Sequence, residues 1–597
     1  MVCHFFYVTL AYMRNVTTLI LLCMLQLGAC SNETAEPTSP DAGTGVGADA
    51  NHGATSSIQS LEELFDGERV IDVEIEMNLD DYHTLRSQGR PLADTVAHCG
   101  DSDFNYTYFR GAITVDGTRV EDVGVRKKGY LGSISRIRPS FKIDFDRFVD
   151  GQRFLGLERL TLNNDRQDPS HTHQCMSYAL FRAAGVPAPR CNWARVALNG
   201  EPLGVYSNVE SIDKGFLGRH FSDNDGNLYE IQRADFSQQA IEYFEIKTNH
   251  YTNDRSDLQA AVAALQAGDD TLLEELKKVF DLDAFLTYWA MEVLVGHWDG
   301  ATGNSNNHWM YHDPVSDRFF FIPWGTDGTF QKGHVFIELA GLTVPASVYA
   351  QGLLPYRLYR HPEGQQRYRE RLRELLDELW DESVLLAEVD RIGEMTGADP
   401  DALERQRAFI RTRGPAIERE LDGPAPVWPL APEHYPSLRE RTCTPPTEIS
   451  GGFSTSWGDL ANVVPDFASA AGNRLEVVLD GAAVPMSTSF SAAGLSRDPA
   501  GEVGKPNILV IGVPTDPTAK MLTALLAFNA PELFATGEIL FHGFETFGSL
   551  VELDDATGTG YRMLGFFGDG RVVLDSAGTE TGEPVAGSFE GKLVRIY

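Results

Sequence analysis

The chain has 597 residues and a formal net charge of −35, with 85 acidic side chains against 50 basic ones. This length exceeds what one hydrophobic core usually serves, so we expect two or three folded units. The acidic excess argues against a general nucleic-acid binder, which needs a basic surface. Surface acids that keep the chain in solution are enough to explain most of the charge.

The first thirty residues have the pattern of a secretory signal. An apolar run at residues 19–27 follows a basic residue and precedes Gly28, Ala29 and Cys30, with Met13 as an alternative start. The run is short for a membrane span, and small residues mark a cleavage site. Small residues directly before a cysteine are similar to the bacterial lipobox, in which Cys30 carries lipid. We therefore expect an exported lipoprotein attached to a membrane of the cell envelope or surface; the alternative is an ordinary signal with an incidental cysteine.

Four cysteines remain beyond this signal, namely Cys99, Cys175, Cys191 and Cys443. In an exported protein they are able to form two disulfides, with three possible connectivities. Their spacing matches no zinc motif, so we expect no metal–thiolate site.

The next residues divide into a tether and a large mixed unit at 58–423. Residues 31–57 are Ser, Thr, Pro, Gly, Ala and acids with almost nothing apolar, which predicts a disordered tether. Short alternating runs then predict strands, with hairpin turns at Asp116-Gly117 and Asn199-Gly200. From about residue 257 helices dominate. The helix predicted at 282–295 is apolar on nearly every side and should be buried, and the last helix is predicted to break at Gly414-Pro415.

A polar loop joins the strand-rich and helical halves. Residues 296–330 begin after an apolar helix with a loop that contains Asp299, Asn304, Asn306 and Asn307, continue as an aromatic strand at 318–324, and end in a turn that contains Asp327. Hard cations prefer such oxygen ligands, and phosphoryl transfer uses an Asp base with Asn or Asp metal ligands. The alternative is a surface loop whose Asn and Gly residues only form turns.

A basic cluster lies upstream between two predicted strands. Arg126, Lys127 and Lys128 run into Gly129, and Lys142 lies on the following strand. Backbone N–H groups and lysines in such a segment can cradle phosphate. A solvated basic hairpin is the alternative interpretation.

The C-terminal third has a different composition. Residues 424–450 are rich in proline and predict a linker, or a strap fixed by Cys443. Residues 451–597 contain short apolar strands and turns, which favour an all-β unit of the sandwich type. A helix is possible at 518–528. This unit has no catalytic constellation, so we expect an accessory or surface-contact role.

A series of short motifs follows a fixed order between residues 70 and 417. They are Arg126-Lys127-Lys128-Gly129 with Ser140-Phe141-Lys142-Ile143, Phe154-Leu155-Gly156, Leu160-Thr161-Leu162-Asn163, Asp168-Pro169-Ser170 before Tyr178-Ala179-Leu180, Gly185-Val186-Pro187-Ala188-Pro189, Leu198-Asn199-Gly200-Glu201-Pro202-Leu203-Gly204-Val205-Tyr206, Glu210, Asp299, Asn307, Tyr311 and Ile322-Pro323-Trp324. None is specific alone, but the ordered set resembles the CotH kinase family over somewhat more than half of the chain. The resemblance does not reach residues 451–597.

The resemblance implies an α+β fold, with an atypical protein-kinase-like domain of two lobes before the all-β unit. It implies a domain that phosphorylates proteins with ATP and a divalent metal, Mg²⁺ or Mn²⁺. Lys142 is then expected to hold the nucleotide phosphates, with Arg126 and Lys128 nearby. Glu210, at a strand end between the lobes, is expected near the adenine.

The same resemblance assigns roles in the polar loop. Asp299 is implied as the catalytic Asp that accepts or orients the proton of the substrate hydroxyl. Asn307 is implied as a metal ligand, with Asn304 as the alternative because its spacing from Asp299 is that of the ordinary kinase catalytic loop. Asp327 is the expected carboxylate ligand of the metal.

One departure from the family pattern leaves two classes of function open. After Pro-Trp the family usually carries Asp, one residue and Asp, whereas this chain has Gly325, Thr326 and Asp327. The first hypothesis is an ATP- and metal-dependent phosphotransferase that acts on an unidentified protein acceptor; transfer of a nucleotidyl or other group from ATP is a variant. The second is a weak or inactive kinase-like domain that serves as a cell-surface binding, adhesion or scaffold protein, because little ATP is present outside the cytoplasm. Neither hypothesis involves nucleic acid.

Overall fold

The computed structural model describes residues 58–89, 105–129, 131–334, 337–338, 342–432, 447–460, 472–495, 504–541, 545–554 and 560–595. The predicted signal, Cys30, the tether, Cys99 and Cys443 lie outside these residues. Within them, no helix has the length and apolar character that crossing a membrane requires.

The first strands close into a barrel in the order β1-β2-β3-β4-β5-β7-β6. They are β1 (Val70–Met77), β2 (Phe109–Val115), β3 (Thr118–Lys128), β4 (Ser140–Asp144), β5 (Arg159–Asn163), β6 (Cys191–Leu198) and β7 (Glu201–Glu210). Alternating residues of β1 are buried inside the barrel, as the period-two pattern predicts. Both predicted hairpin turns are present, with positive φ at Asp116, Gly117, Asn199 and Gly200.

A smaller sheet lies beside the barrel, with strand order β11-β10-β8-β9. Its members are β8 (Asn227–Ile231), β9 (Glu245–Ile246), β10 (His308–Asp313) and β11 (Arg318–Pro323). The β10–β11 hairpin comes directly after the polar loop and leads into the turn at Thr326–Gly328. Both ends of the predicted site are therefore attached to one hairpin.

Helices complete the first part of the chain, and the first two pack against the barrel. They are α1 (Leu61–Leu64), α2 (Leu79–Ser87), α3 (His173–Ala183), α4 (Lys214–His220), α5 (Ser256–Leu265), α6 (Leu272–Val279), α7 (Leu282–Leu294), α8 (Leu353–Arg360), α9 (Pro362–Leu379), α10 (Glu382–Thr396) and α11 (Pro400–Leu421). Helix α7 is buried on nearly all sides, as predicted, and its Trp289 ring stacks on Tyr368 of α9 at 3.7 Å. Asp281, Asp381 and Asp399 cap the N-termini of α7, α10 and α11.

The predicted break at Gly414-Pro415 is wrong, because α11 continues through both residues to Leu421. A proline inside a helix removes one backbone hydrogen bond and costs about 3 kcal/mol. Ile417 and Leu421 are buried beyond it, so packing of the last turns against the core offsets this cost. Tertiary burial therefore overrides a local helix-breaking signal.

The C-terminal strands form one sheet rather than the two separate sheets of a sandwich. They are β12 (Thr447–Asp459), β13 (Arg474–Leu479), β14 (Ala482–Ala483), β15 (Met486–Leu495), β16 (Pro506–Pro514), β17 (Leu522–Phe528), β18 (Gly537–Leu540), β19 (Thr546–Asp554), β20 (Gly560–Ala577) and β21 (Pro584–Arg595). Strand β21 pairs with both β12 and β20, so hydrogen bonds run in a closed circuit through β12, β15, β16, β17, β19, β20 and β21.

The possible helix at 518–528 is also wrong. Residues Leu522–Phe528 are strand β17, paired on one side with β16 and on the other with β19. All of its side chains are buried. A short apolar run with two buried faces has no periodicity that separates strand from helix, which explains the error.

One disulfide joins the barrel to the helices. Cys175 on α3 is bonded to Cys191, the first residue of β6. This is one of the pairs that the sequence leaves open. It fixes α3 against the outer face of the barrel, next to the polar loop described below.

Candidate functional site

Asp299 lies at the centre of a group of amide side chains. Its Oδ1 accepts hydrogen bonds from Asn304 Nδ2 at 2.6 Å and Asn306 Nδ2 at 3.1 Å, and its Oδ2 accepts one from Asn307 Nδ2 at 2.7 Å. Burial raises the pKa of Asp299, while the bonds from Asn304 and Asn306 act in the opposite direction. The loop therefore holds one oriented carboxylate, and the asparagines are more than turn formers.

A second carboxylate, on the helix that precedes this loop, accepts hydrogen bonds from the loop. Glu292, on α7, accepts hydrogen bonds from Tyr288 OH, Ala301 N, Thr302 N and Thr302 Oγ1 at 2.6–3.0 Å. Its Oε1 lies 3.2 Å from His297 Nδ1. Burial opposes ionisation of Glu292, but these bonds outweigh it and lower its pKa. Glu292 was not predicted from the sequence, although a carboxylate inside a largely apolar helix was a usable signal.

Asp327 lies close to Asp299 in the turn after β11. A Cβ added to Gly328 would be 3.7 Å from Asp299 Cβ, which places the two acidic segments side by side. Burial raises the pKa of Asp327 to about 6, opposed by the charge of Lys128 and reinforced by Asp299. The Asp327 backbone oxygen accepts a 2.9 Å hydrogen bond from His173 Nδ1 on α3. The turn is thus fixed to α3, while its carboxylate is half-buried.

Gly325 has a structural reason for lacking a side chain. Its φ is +54°, and a Cβ at this position would approach Asn307 Cγ to 2.6 Å. The amide of Asn307 therefore occupies the space in which a side chain at residue 325 would begin. Asn307 donates a hydrogen bond to Asp299 from this inward position, and the position is sterically compatible only with glycine at residue 325.

The Gly325→Asp variant restores the carboxylate of the family pattern, but we expect it to strain the local structure. The new Cβ has to displace Asn307, which breaks its bond to Asp299, and the backbone stays left-handed. We expect the free energy of unfolding to fall by about 1–3 kcal/mol in urea titrations. In the double variant with Asn307→Ala the space is free, so the two effects should be non-additive. A single variant as stable as the natural chain would contradict this account.

Three of the predicted basic residues, Arg126, Lys128 and Lys142, lie on one outer face of the barrel. Arg126 on β3 is paired in register with Lys142 on β4, and Lys128 follows two residues later along the same face. Burial lowers the pKa of Lys142 to about 7 and that of Lys128 to about 8. An anion beside these amines favours their charged form, so the face is suited to phosphate.

Lys127 has a different place from its neighbours. It points to the opposite side of β3, and its Nζ donates to the backbone oxygens of Arg86 and Gln88 at 2.8 and 2.7 Å. These are the last carbonyls of α2 and its cap. Lys127 thus terminates a helix and is no part of the basic face.

A chain of hydrogen bonds connects Lys128 to α3. Lys128 Nζ donates to Asn163 Oδ1, Asn163 Nδ2 to Gln174 Oε1 at 2.5 Å, and Gln174 Nε2 to Asp165 Oδ1 at 2.9 Å. Asp165 also contacts His171 Nδ1 at 2.8 Å. Both Asp165 and His171 have positive φ, a conformation that clusters at functional sites. No role was predicted for this segment, because its hydrogen-bond partners lie on separate elements.

The small sheet supplies the wall opposite the basic face. Glu230 on β8 forms a 2.5 Å ion pair with Lys247, and its charge also acts on Lys142. Lys247 lies 5.5 Å from the ring centre of Trp309, which in turn packs edge-on against Trp324 at 6.0 Å. This cluster of charged and aromatic side chains was not predicted from the sequence.

Glu210 is held by other residues. Its carboxylate accepts hydrogen bonds from Arg190 N at 3.0 Å and Arg190 Nη2 at 2.8 Å, and it forms an ion pair with Arg219. The structure therefore engages the Glu210 side chain in an arginine cluster at the end of β7. Its expected place near an adenine stays a prediction.

The donor set fits a hard divalent cation brought with phosphate. In the described part of the chain, no three His, Cys, Asp or Glu side chains cluster as they would in a metal cage made by protein alone. The acidic pair Asp299 and Asp327 stands beside the Asn307 amide instead. Mg²⁺ is usually bound by one or two carboxylates, with waters and substrate phosphates completing its shell. These residues therefore fit Mg²⁺ or Mn²⁺ that arrives with a nucleotide.

Comparison with known proteins assigns a family to this region. Residues 125–414 match the family model described as CotH kinase protein, and this range contains each of the site residues above. Inner spore coat protein H of Bacillus subtilis is 25% identical over 273 residues, covering 42% of this chain and 73% of that protein. Invasin CotH3 of Rhizopus delemar is 22% identical over 208 residues, covering 31% of this chain and 35% of the invasin.

The extent of these matches differs among the relatives. Invasin CotH2 of the same fungus is 22% identical over 273 residues, which is 42% of this chain and 45% of the invasin. The chain thus spans less than half the length of these two invasins. The family model ends before β12, so the C-terminal sheet lies outside it.

Proposed function

Because residues 125–414 form a domain of the CotH kinase protein family, we propose that this chain is an ATP- and divalent-metal-dependent phosphotransferase with a protein acceptor. In this proposal the barrel and the helical part are the two lobes of an atypical kinase-like domain. The observation that carries it is an acidic pair, Asp299 and Asp327, whose Asp327 lies near Lys128 of the basic face. The charge of Lys128 favours the ionised form of Asp327, and the charge of Asp327 favours the protonated form of Lys128. Asp299 lies beside the segment of Asp327.

Asp299 is proposed as the group that meets the acceptor hydroxyl. Its three amide partners fix the carboxylate, so little reorganisation is needed when a hydroxyl approaches. Burial raises its pKa, which increases the affinity of the carboxylate for a proton. Asp299 therefore either accepts the hydroxyl proton or orients the hydroxyl through it.

The remaining site residues are proposed to bind the cation and the phosphate groups of the nucleotide. Asp327 with Asn307, or Asn304 in its place, would hold the cation, and Lys142, Lys128 and Arg126 would hold phosphate oxygens. Bound ATP supplies the phosphoryl group and the cation neutralises its charge. Transition states of this kind are loose and highly charged, so positioned charges contribute most of the catalysis.

A surface-binding function is the second candidate. The relatives include an inner spore coat protein and fungal invasins, and these names describe proteins of coats and surfaces. Gly325 also replaces a carboxylate that the family pattern contains. With lipid on Cys30, we propose attachment at the cell envelope or surface, where a binding partner is accessible and ATP is scarce.

Nucleotide binding separates the two candidates. The full chain is heated with and without ATP and Mg²⁺ or Mn²⁺, and we expect a metal-dependent rise in melting temperature. A ligand at 100 times its dissociation constant stabilises the folded state by about 2.7 kcal/mol. Lys142→Met should reduce this rise. An unchanged melting temperature with both metals would favour the surface-binding function.

The pH dependence of nucleotide binding tests the proposed role of Lys142. The pKa of Lys142 is lowered to about 7 by burial, so above pH 7 phosphate binding first requires proton uptake. Between pH 7 and 8, loss of the Lys142 proton should therefore lower nucleotide affinity by at most about tenfold; above pH 8, Lys128 also loses its proton and adds to the fall. Lys142→Arg stays charged and should reduce the fall. Equal pH profiles in both proteins would remove Lys142 from the binding site.

A further inference from the structure

The C-terminal sheet reaches the family domain through a buried carboxylate. Glu545, just before β19, is 3% exposed and accepts hydrogen bonds from Ser135 Oγ and from Arg136 N, the latter at 2.8 Å. It also lies 3.0 Å from Arg166 Nη1. The residues that it joins are about four hundred positions apart in the sequence.

The receiving loop is built around this carboxylate. Ser135 Oγ, which donates to Glu545, accepts hydrogen bonds from Ile137 N at 3.2 Å and Arg138 N at 2.8 Å. Ser135 is itself only 3% exposed. A buried carboxylate is costly unless donors surround it. Side-chain, backbone and guanidinium donors together meet that need, so this contact is specific.

The same loop is attached to the candidate site. Asn164 Nδ2 donates to Ser133 O at 3.1 Å and Arg138 O at 2.6 Å, and Arg166 Nη1 donates to Ile134 O at 2.9 Å. Residue 164 follows Asn163, the partner of Lys128. The loop at 133–138 thus lies between the C-terminal sheet and the segment that positions Lys128.

We propose that Glu545 is a positioning residue for the nucleotide site and that the C-terminal sheet is a working part of the family domain. Its carboxylate fixes the loop at 133–138, and the loop fixes the segment 163–166 beside Lys128. This role differs from the accessory unit that the sequence favours. The contact to the loop is independent of the proposed function, whereas its effect on nucleotide rests on that function.

Glu545→Gln in the full chain tests both parts. Gln keeps the size of the side chain but loses its charge and places a donor against the donors around it. Hydrogen–deuterium exchange at the Arg136 amide and across 131–138 is expected to accelerate at least about tenfold. The dissociation constant for ATP with Mg²⁺ is expected to rise about tenfold, more than turnover falls. Glu590→Gln, an exposed partner of Arg571 on the same sheet, is the matched control and should change neither quantity.

Each outcome decides one part of the proposal. Unchanged exchange in Glu545→Gln overturns the contact, and faster exchange with unchanged nucleotide affinity overturns the positioning role. If the natural chain binds no nucleotide, the proposed function fails while the exchange result still decides the contact. Should Glu545→Gln not fold, Ser135→Ala is measured in the same way; it removes the hydroxyl donor to Glu545 together with the acceptor of Ile137 N and Arg138 N.

Discussion

Asp299→Asn is expected to abolish phosphoryl transfer from ATP while the chain stays folded. Asn has nearly the shape of Asp, and rotation of the Asn307 amide offers its oxygen to the new NH₂ group in place of the present 2.7 Å bond. The carboxylate that meets the hydroxyl proton is lost. Removal of a general base lowers rates about 10²–10⁴-fold. Labelled phosphate from the γ position of ATP, transferred to the chain itself or to a generic acceptor protein, gives the rate.

The control variant and the binding data make this prediction specific. Asp317→Asn changes an 88% exposed acid in the turn of the same β10–β11 hairpin and should leave the rate unchanged. Affinity for ATP without metal should also persist in Asp299→Asn, because the basic face is untouched. Equal transfer by Asp299→Asn and the natural chain would remove Asp299 from the mechanism.

Local patterns predicted the elements that position the site. Alternation in Val70–Met77 and the turns at Asp116 and Asn199 are sufficient for the barrel hairpins, because period and turn chemistry act within a few residues. The same local signals fail at Pro415 and at Leu522–Phe528. There the deciding term is burial against distant segments, which no short window of sequence contains.

The site residues likewise divide into those with a local sequence signal and those defined only by distant contacts. Asp299, Asp327, Lys128 and Lys142 were named from motifs. The structure places Asp327 near Lys128 and beside the Asp299 segment, whereas the acid near Lys142 is Glu230. Their roles stay predictions. Glu545 carries no local signal, because its meaning depends on a fold that places it beside a loop about four hundred residues away.

The position of Asn307 in the structure changes the interpretation of Gly325, the residue that departs from the family pattern. From sequence it is only a missing carboxylate. In the fold, the Asn307 amide occupies the vacated space and donates to Asp299. A glycine at positive φ with a polar neighbour over it is a consistent local arrangement rather than a simple deletion. The natural chain should therefore be tested for nucleotide binding before any residue is restored.

Glu292→Ala is expected to be among the most damaging substitutions in the helical part. Glu292 is completely buried, and its loss leaves Tyr288 OH, Ala301 N, Thr302 N and Thr302 Oγ1 without their acceptor. Removal of one partner from a buried charged network costs about 3–5 kcal/mol. We expect a loss of that size in the free energy of unfolding, measured by urea titration with tryptophan fluorescence.

Tyr288→Phe separates this network effect from a general packing defect. It removes one donor, keeps the ring in the core and leaves the carboxylate with its loop donors, so it should cost about 1 kcal/mol. If Glu292 holds the loop of Asp299, amide exchange at Ala301 and Thr302 should accelerate in Glu292→Ala but not in Tyr288→Phe. Transfer activity should fall with that exchange, because the asparagines around Asp299 depend on the same loop. Equal exchange in both variants would mean that Glu292 serves the core alone.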